Sequence, residues 1–330
     1  MSKRSDISEF DLIRHFFSGM TSKRGDVVLG IGDDAALLRV PQGMDLVVSV
    51  DTLVAGVHFF PDVSALDLGH KVLAVNLSDL AAMGAEPAWA TLALTLPSID
   101  ELWISEFCRG FSELASDHGL QLVGGDTTSG PLSITVQVQG LLPMGKGLTR
   151  SGAQVGDDIY VTATLGDAAL ALSCKREKHQ QDDLAKLLER LERPTPRVEV
   201  GLALRDIASS AIDISDGLAA DLGHILQASQ VGAKVELDKI PLSPPVKARI
   251  QQSKDWSIAI AGGDDYELCF TLPPVHRERV AAISQQTGVA VTRIGVIDAQ
   301  TDLRFFLPDE SRLIPEYVGY EHFSRSDCVN

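Results

Sequence analysis

The stretch SAIDISDGLAADLGHI, residues 210–225, has the pattern of a strand, a tight turn and a helix. An apolar run leads into Asp216 and Gly217, residue types that form turns, and Leu218 and Leu222 then recur at the spacing of one helix face. Units of this kind are typical of α/β proteins, which bind ligands beyond the carboxyl ends of their strands. This stretch therefore predicts an α/β fold with a ligand site near the turn.

Other parts of the chain alternate in the same way. Ser98 and Glu101 have the spacing of a capping box and predict a helix start, and a second helix is predicted over 182–192. The predicted strands are 46–50, 90–96 and 133–139 in the first half and 159–164, 234–237, 267–272, 289–297 and 303–307 in the second. The glycine-rich segment 145–157 predicts a boundary between a domain at 1–150 and a domain at 151–330.

Charge and composition exclude several classes of protein. The 330 residues include 29 Lys and Arg against 45 Asp and Glu, a net charge of −16, which argues against a nucleic-acid partner. No apolar run reaches the roughly 18 residues that cross a bilayer, and the polar N-terminus is unlike a signal peptide. Four scattered cysteines without a Cys-x-x-Cys pair indicate reduced thiols. We therefore expect a cytoplasmic protein with no membrane contact.

One local pattern occurs six times: a strand-like apolar run that ends in Gly or Ser and then in aspartate. The six segments are GIGDD (30–34), VSVDT (48–52), NLSD (76–79), GGDTT (124–128), DISDG (213–217) and GGDD (262–265). One such segment alone indicates a turn, but six carboxylates at strand ends would repel one another unless cations lay between them. Aspartate oxygens suit Mg²⁺, so the pattern predicts a site for several Mg²⁺ ions.

Seven longer motifs, in this order, resemble the thiamine-monophosphate kinase family of the aminoimidazole-ribonucleotide-synthetase-like superfamily. They are GIGDDAAL (30–37), DTLVAGVHF (51–59), NLSDLAAMGAEP (76–87), GGDTTSGPLS (124–133), LTRSGAQVGD (148–157), SAIDISDGLAADLGHI (210–225) and GGDDYELCF (262–270). The resemblance implies a two-domain α/β fold of α+β type, with an N-terminal mixed sheet that pairs across a homodimer and a C-terminal α/β domain that completes the active site. It also implies transfer of the γ-phosphoryl group of ATP to thiamine monophosphate, the last step of thiamine diphosphate biosynthesis.

The resemblance also implies roles for individual residues. The implied metal ligands are Asp34, Ser49, Val50, Asp51, Asp79, Asp126, Asp213 and Asp216. The implied ATP contacts are Gly125, Asp126, Arg150 and Ser215, with Asp126 and Arg150 also catalytic. The implied thiamine phosphate contacts are His58, Asp264 and Tyr317.

Three of these positions depart from the family pattern. Val50 stands where a hydroxyl residue is usual, so it could bind metal only through its carbonyl oxygen. Asp264 stands where glutamate is common, and Tyr317 replaces a commoner tryptophan but keeps an aromatic face for the thiamine rings.

The implied chemistry is consistent with the residues present. A phosphate monoester has a second pKa near 6, so the acceptor is largely deprotonated at pH 7 and needs no general base. The motifs accordingly contain no Ser–His or His–Asp pair. We expect direct in-line transfer without a phosphoenzyme, with Mg²⁺ offsetting the repulsion of two polyanions and Arg150 stabilising charge on the transferring group.

Other interpretations fit less well. Gly140, Gly145 and Lys146 match the P-loop frame, but Gly147 stands where Ser or Thr must bind the metal, and no helix pattern follows. A selenophosphate synthetase would need a reactive Cys near the N-terminus, and a hydrogenase-maturation carrier would end in the cysteine that here, as Cys328, precedes two residues. A ribonucleotide cyclase and a Mg²⁺–nucleotide sensor without turnover remain alternatives.

Overall fold

The structure, a computed structural model, describes residues 9–177 and 183–322. It divides into two compact units. The N-terminal unit comprises the described residues up to Leu80 together with Ala85–Gly147, and the C-terminal unit comprises Ala81–Gly84 and the described residues from Leu148 onward.

The N-terminal unit is built on a four-stranded mixed sheet. Its helices are α1 (Glu9–Leu12, followed by a short π-helix at Ile13–Phe17), α2 (Ala65–Ala82, whose last residues belong to the C-terminal unit) and α3 (Glu101–Asp117). Its strands are β1 (Val27–Leu29), β2 (Leu37–Leu38), β3 (Met44–Val54), β4 (Glu86–Leu96), β5 (Gln121–Ser129) and β6 (Ser133–Pro143). The sheet order is β3-β6-β4-β5, with only β4 and β5 parallel, and β1 and β2 form a separate ribbon.

Helices α2 and α3 pack closely because each has a glycine where they meet. A Cβ atom on Gly69 would lie 2.0 Å from the carbonyl oxygen of Phe107, and one on Gly110 would lie 1.9 Å from that of Leu66. No side chain fits at such distances, so both positions require glycine. The crossing fixes α2, the helix that carries Asn76 and Asp79, within this unit.

The C-terminal unit contains a seven-stranded sheet in the order β13-β12-β9-β11-β7-β10-β8. Its strands are β7 (Asp158–Thr162), β8 (Ser210–Ile214), β9 (Gly232–Glu236), β10 (Glu267–Leu272), β11 (Val291–Asp298), β12 (Leu303–Phe306) and β13 (Arg312–Leu313). Its helices are α4 (Asp167–Glu177), α5 (Leu184–Glu192), α6 (Val198–Leu204), α7 (Leu218–Ser229), α8 (Pro244–Ser253), α9 (Ser257–Ile260) and α10 (Arg277–Thr287). Only β9 and β12 are parallel neighbours.

Strand β8 and helix α7 form the unit that residues 210–225 predict. Strand β8 is buried along its whole length, and Leu218, Leu222 and Ile225 of α7 are fully buried in the main core of this unit. Apolar side chains at helical spacing thus cover the sheet next to the turn. The α/β fold is confirmed, with mixed sheets in both units.

Two sequence predictions about local structure are wrong. Helix α3 begins at Glu101 with Asp100 as its N-cap, since the Asp100 carboxylate accepts hydrogen bonds from the N–H groups of Leu102 (3.0 Å) and Trp103 (3.1 Å). Ser98 is therefore no part of a capping box. Asp100 directly precedes the helix, so its carboxylate reaches the unpaired N–H groups of the second and third helical residues, and this explains the later start.

The aspartates also do not all follow strand ends. Asp51 and Asp126 lie within β3 and β5, Asp79 lies inside helix α2, and Asp264 precedes β10. Of the six segments, two follow the pattern: DISDG, with Asp216 just beyond β8, and GIGDD, which comes directly after β1. The apolar run before Asp79 is buried on every side within α2, and a fully buried helix has no periodicity that distinguishes it from a buried strand.

In the part of the chain that the structure describes, every helix is too short or too polar to cross a lipid bilayer. Cys108, Cys174 and Cys269 are buried thiols, while Cys328 lies outside the described residues. After Gly147 no helix begins before α4, so the P-loop frame at 140–147 lacks the helix that a P-loop requires.

Candidate functional site

Four polar residues meet where β3 faces α2. The Ser49 hydroxyl donates a 2.5 Å hydrogen bond to the Asp79 carboxylate. The Asn76 side-chain oxygen, buried on α2, accepts from the backbone N–H of Asp51 at 3.1 Å. Ser49 and Asp51 are two residues apart on a strand, so they share this face. Ser49, Asp51 and Asp79 are thus brought together.

Val50 and Asp126 lie on the other face of the same sheet. Asp126 of β5 is in register with Ala93 of β4, Ala93 with Thr135 of β6, and Thr135 with Thr52 of β3. Paired residues in neighbouring strands point to the same side, so Asp126 shares the exposed face of Thr52 and Val50. The predicted metal residues on β3 and β5 therefore fall on two faces of one sheet.

Gly125 lies where β4 and β5 approach closely. A Cβ atom there would be 1.9 Å from the carbonyl oxygen of Leu92. Any side chain would push the strands apart and move Asp126 with them. The glycine before Asp126 is therefore a structural requirement as well as a predicted ATP contact.

Asp34 and His58 lie in turns of the N-terminal unit. The exposed Asp34 follows Asp33, whose carboxylate accepts the Asp34 N–H at 2.8 Å. His58 comes shortly after β3, half-buried, and its Nδ1 accepts from the backbone N–H of Val54 at 3.0 Å. A ring nitrogen that accepts carries no proton, so neutral His58 has its proton on Nε2.

In the C-terminal unit, the turn Ser215–Asp216–Gly217 connects β8 to α7. The Ser215 carbonyl oxygen accepts from the N–H of Asp264 at 2.8 Å, which joins this turn to the segment before β10. Asp213 is buried on β8, in register with Leu268 of β10. The unit thus brings together Ser215, Asp216 and Asp264, and it places Asp213 on the strand beneath them.

The segment Asp264–Tyr266 has an unusual backbone. Asp264 and Tyr266 have φ values of +68° and +49°, a region that side chains other than glycine seldom adopt. Between them the fully buried Asp265 accepts the N–H of Gly166 with both carboxylate oxygens, at 3.1 and 3.0 Å. The Tyr266 hydroxyl donates to Asp264 at 3.1 Å. Such strain persists where the surroundings enforce it, and it is common at functional sites.

The carboxylates of this turn are electrostatically coupled. Burial raises the pKa of Asp216 above its ordinary value, and the charge of Asp264 raises it further. Burial raises the pKa of Asp221 to about 7, with the charge of Asp216 as the next cause. Burial also raises the pKa of Asp265 well above its ordinary value. Carboxyl groups whose burial disfavours the charged form suit a site that receives positive charge.

Arg150 and Tyr317 also belong to this unit. Arg150 is exposed, and its positive charge lowers the pKa of Asp216, although more weakly than burial raises it. Tyr317 follows β13 and is 52% exposed, so its ring is available for stacking.

The donor set fits Mg²⁺ by its chemistry. A serine hydroxyl 2.5 Å from an aspartate oxygen, with further carboxylates on the same sheet, offers the hard oxygen ligands that this ion prefers. Within residues 9–177 and 183–322, no three His, Cys, Asp or Glu side chains lie close enough together to bind one metal ion.

Sequence reasoning missed three residues that contact or lie beside the predicted site residues. Asn76 lies three residues before Asp79 on α2, and Asp221 and Asp265 are buried acids beside predicted ligands. For Asp221 a signal was present, since an acid in the first turn of a helix after Asp-Gly can cap that helix. For Asn76 the spacing alone carried no signal.

The chain matches two protein-family models. Residues 32–142 match the AIR synthase related protein, N-terminal domain, and residues 154–308 match the AIR synthase related protein, C-terminal domain. Together these matches cover most of the chain.

Three relatives are similar over nearly their whole length. The thiamine-monophosphate kinase of Escherichia coli K12 is 48% identical over 319 residues, 96% of this chain and 98% of the relative. A crystal structure of thiamine-monophosphate kinase from Stenotrophomonas maltophilia K279a has a TM-score of 0.84 and 46% identity, covering 92% of this chain and 96% of the other. A structure of AaThiL complexed with AMPPCP and TMP has a TM-score of 0.75 and 29% identity, covering 98% and 99%.

Proposed function

The chain belongs to the thiamine-monophosphate kinases of the AIR synthase related family, and on this basis we propose that it phosphorylates thiamine monophosphate at the expense of ATP. The observation that carries the proposal is the 48% identity to a thiamine-monophosphate kinase over 96% of the chain. The products are thiamine diphosphate and ADP. The acceptor phosphate is already an oxyanion at pH 7, so no general base is required.

We assign the metal ligands to the aspartates of both units. Asp51, Asp79 and the Ser49 hydroxyl offer oxygen ligands from one face of the N-terminal sheet, and Asp126 offers one from the other. The full proposed set is Asp34, Ser49, Val50 through its carbonyl, Asp51, Asp79, Asp126, Asp213 and Asp216. Several bound Mg²⁺ ions supply charge neutralisation for the phosphates of both reactants.

The remaining site residues bind and orient the two substrates. Gly125, Asp126, Arg150 and Ser215 contact ATP in this proposal. Arg150 stabilises charge on the transferring phosphoryl group, because a guanidinium forms paired hydrogen bonds with phosphate oxygens. His58 donates from Nε2, Asp264 accepts, and Tyr317 stacks on the thiamine rings.

The transfer itself is a direct in-line displacement. An oxygen of the acceptor phosphate forms the new bond to the γ-phosphorus as the bond to the ADP oxygen breaks on the opposite side. Positioning and electrostatics supply the rate enhancement. No aspartate is phosphorylated on the way.

A homodimer completes the proposal. Strand β3 is an edge strand of the sheet, and Leu46, Val48 and Val50 on its outer face are 46%, 52% and 55% exposed. An apolar edge strand left open to water favours association, so we propose that β3 lies at the dimer interface. Cytoplasmic location stays a prediction from the sequence.

One assay tests the activity and the route. Purified protein, ATP, Mg²⁺ and thiamine monophosphate should give thiamine diphosphate and ADP in equal amounts by chromatography, and EDTA should abolish both. With γ-labelled ATP, denatured protein should retain no covalent label. ADP formation without thiamine diphosphate would refute the acceptor, and a labelled aspartate would refute direct transfer.

A further inference from the structure

The backbone N–H and the backbone carbonyl of Asp216 are both hydrogen-bonded to residues that have no assigned role. The Asp221 carboxylate accepts from the N–H groups of Asp216 and Gly217, at 3.1 and 3.0 Å. On the other side the N–H of Tyr320 donates to the carbonyl oxygen of Asp216 at 3.1 Å. Both backbone groups of Asp216 are therefore held, and its side chain alone is left to turn toward a ligand.

Asp221 is a buried carboxylate at the start of helix α7. Its side chain is only 2% exposed, and burial penalises its charged form. Gly217 is the N-cap residue of helix α7, and it has φ +122° and no side chain with which to cap the helix. The Asp221 carboxylate substitutes for that cap from inside the first turn and thereby fixes the conformation of the turn.

The C-terminal segment approaches the same turn too closely for any side chain at Gly319. A Cβ atom on Gly319 would lie 2.6 Å from the Ala220 Cβ and 2.9 Å from the Asp216 carbonyl oxygen. This contact and the Tyr320 hydrogen bond attach the segment beside Asp216, three residues after Tyr317.

We infer that Asp221 and the Gly319–Tyr320 segment form a clamp on the Asp216 peptide that positions the Asp216 carboxylate for Mg²⁺–nucleotide and holds the Tyr317 segment next to it. Asp221 and Gly319 are positioning residues that touch neither substrate. The inference rests on the proposed function, because it takes Asp216 to be a metal ligand.

The test compares Asp221→Ala and Gly319→Ala with matched controls. Asp157→Ala removes another buried carboxylate of this unit, one that accepts the Gln154 N–H at 3.0 Å. Gly223→Ala adds a Cβ in α7 where nothing lies within 4 Å. Two quantities are measured: the Mg²⁺ concentration for half-maximal activity, and the rise in melting temperature caused by Mg²⁺ with AMPPCP.

Both clamp variants should raise the half-maximal Mg²⁺ concentration about tenfold, a typical cost of losing a group that orients a metal ligand. They should also reduce the melting-temperature rise with Mg²⁺–AMPPCP, whereas both controls keep wild-type values in each measurement. Asp221→Asn keeps an acceptor oxygen and should restore most of the Mg²⁺ response. If Asp221→Ala does not fold, Gly319→Ala, near the C-terminus, carries the test.

Asp216→Asn distinguishes failure of the clamp from failure of the assignment of Asp216 as a metal ligand. If Asp216→Asn raises the Mg²⁺ requirement while the folded clamp variants do not, the clamp is refuted and the proposed ligand stands. If Asp216→Asn also leaves the Mg²⁺ response unchanged, Asp216 is not a metal ligand. The clamp, which assumes that it is, is then refuted as well. If the wild type makes no thiamine diphosphate, the proposed function fails, and the Mg²⁺–AMPPCP binding measurement still decides the clamp.

Discussion

At the scale of single residues, the alternation of a strand decides which neighbours can share a ligand. Ser49, Val50 and Asp51 are consecutive, yet Val50 points to the face opposite the other two. The exposed apolar side chain of Val50 is therefore compatible with its place on the outer face of β3. Asp126 lies on that outer face as well.

Asp126→Asn should lower kcat at least about a hundredfold, because the loss of a group that merely orients a metal ligand already lowers metal affinity or activity about ten- to hundredfold. The side chain is exposed, so the melting temperature should stay near the wild-type value. Steady-state kinetics and thermal unfolding measure the two quantities.

Asp45→Asn is the matched control, because Asp45 is an exposed aspartate of the same sheet with no predicted role. It should leave kcat unchanged. A near-normal kcat for Asp126→Asn would show that the assignment of Asp126 is wrong.

At the scale of elements, a buried carboxylate joins three parts of the C-terminal unit. Asp158 of β7 accepts from Arg277 of α10 at 2.5 and 2.8 Å and from Arg293 of β11 at 2.5 Å. Burial alone would raise the pKa of Asp158, but the two guanidinium groups outweigh it and lower the pKa below its ordinary value. The ionised form of Asp158 thus stabilises the folded state.

Asp158→Asn should lower the free energy of unfolding at pH 7 by about 2 kcal/mol, less than for a fully buried pair because both arginines are partly exposed. A lowered folded-state pKa gives stability that is present above the unfolded pKa and is lost as the pH falls through the folded value. The difference between variant and wild type should therefore shrink below about pH 4.

Urea unfolding at pH 7 and at several lower pH values measures this difference. Glu278→Gln, an exposed change beside Arg277 on α10, should alter stability little at any pH. A difference for Asp158→Asn that stays constant on acidification would contradict the role of its charge.

At the scale of the whole molecule, an acidic chain of net charge −16 must bind two phosphorylated substrates. Mg²⁺ in the proposed site relieves the repulsion between carboxylates and phosphates. The proposed dimer would cover the apolar outer face of β3, which the isolated chain exposes to water. In the first proposal, Mg²⁺ ions lie where the isolated chain exposes negative charge. In the second, another copy of the chain covers the apolar surface that the isolated chain exposes.

Wild-type protein should therefore have twice the 35.4 kDa chain mass by light scattering, and Val48→Asp should halve it. A charge on the outer face of β3 would be buried without a partner at the interface, which disfavours association. Val275→Asp, at an 81% exposed site of the C-terminal unit, should stay dimeric. A Val48→Asp protein that keeps the dimer mass would exclude β3 from the interface.

The sequence alone determined the α/β class, the family and the kinds of residue at the site, because apolar periodicity and long ordered motifs are local properties. Strand β10 begins and ends where its apolar run predicts, at Glu267 and Leu272. The fold class and the kinase family are confirmed, whereas the individual site roles stay predictions.

Only the tertiary structure decided how those residues are grouped. The same Gly/Ser–Asp pattern lies within a strand at Asp51, within a helix at Asp79 and beyond a strand at Asp216, since short apolar runs do not distinguish buried helix from buried strand. The separation of Asp126 from Ser49 follows from strand register, and the contacts of Asp221 and Tyr320 with Asp216 follow from chain packing. These depend on residues far apart in the chain, which no local pattern encodes.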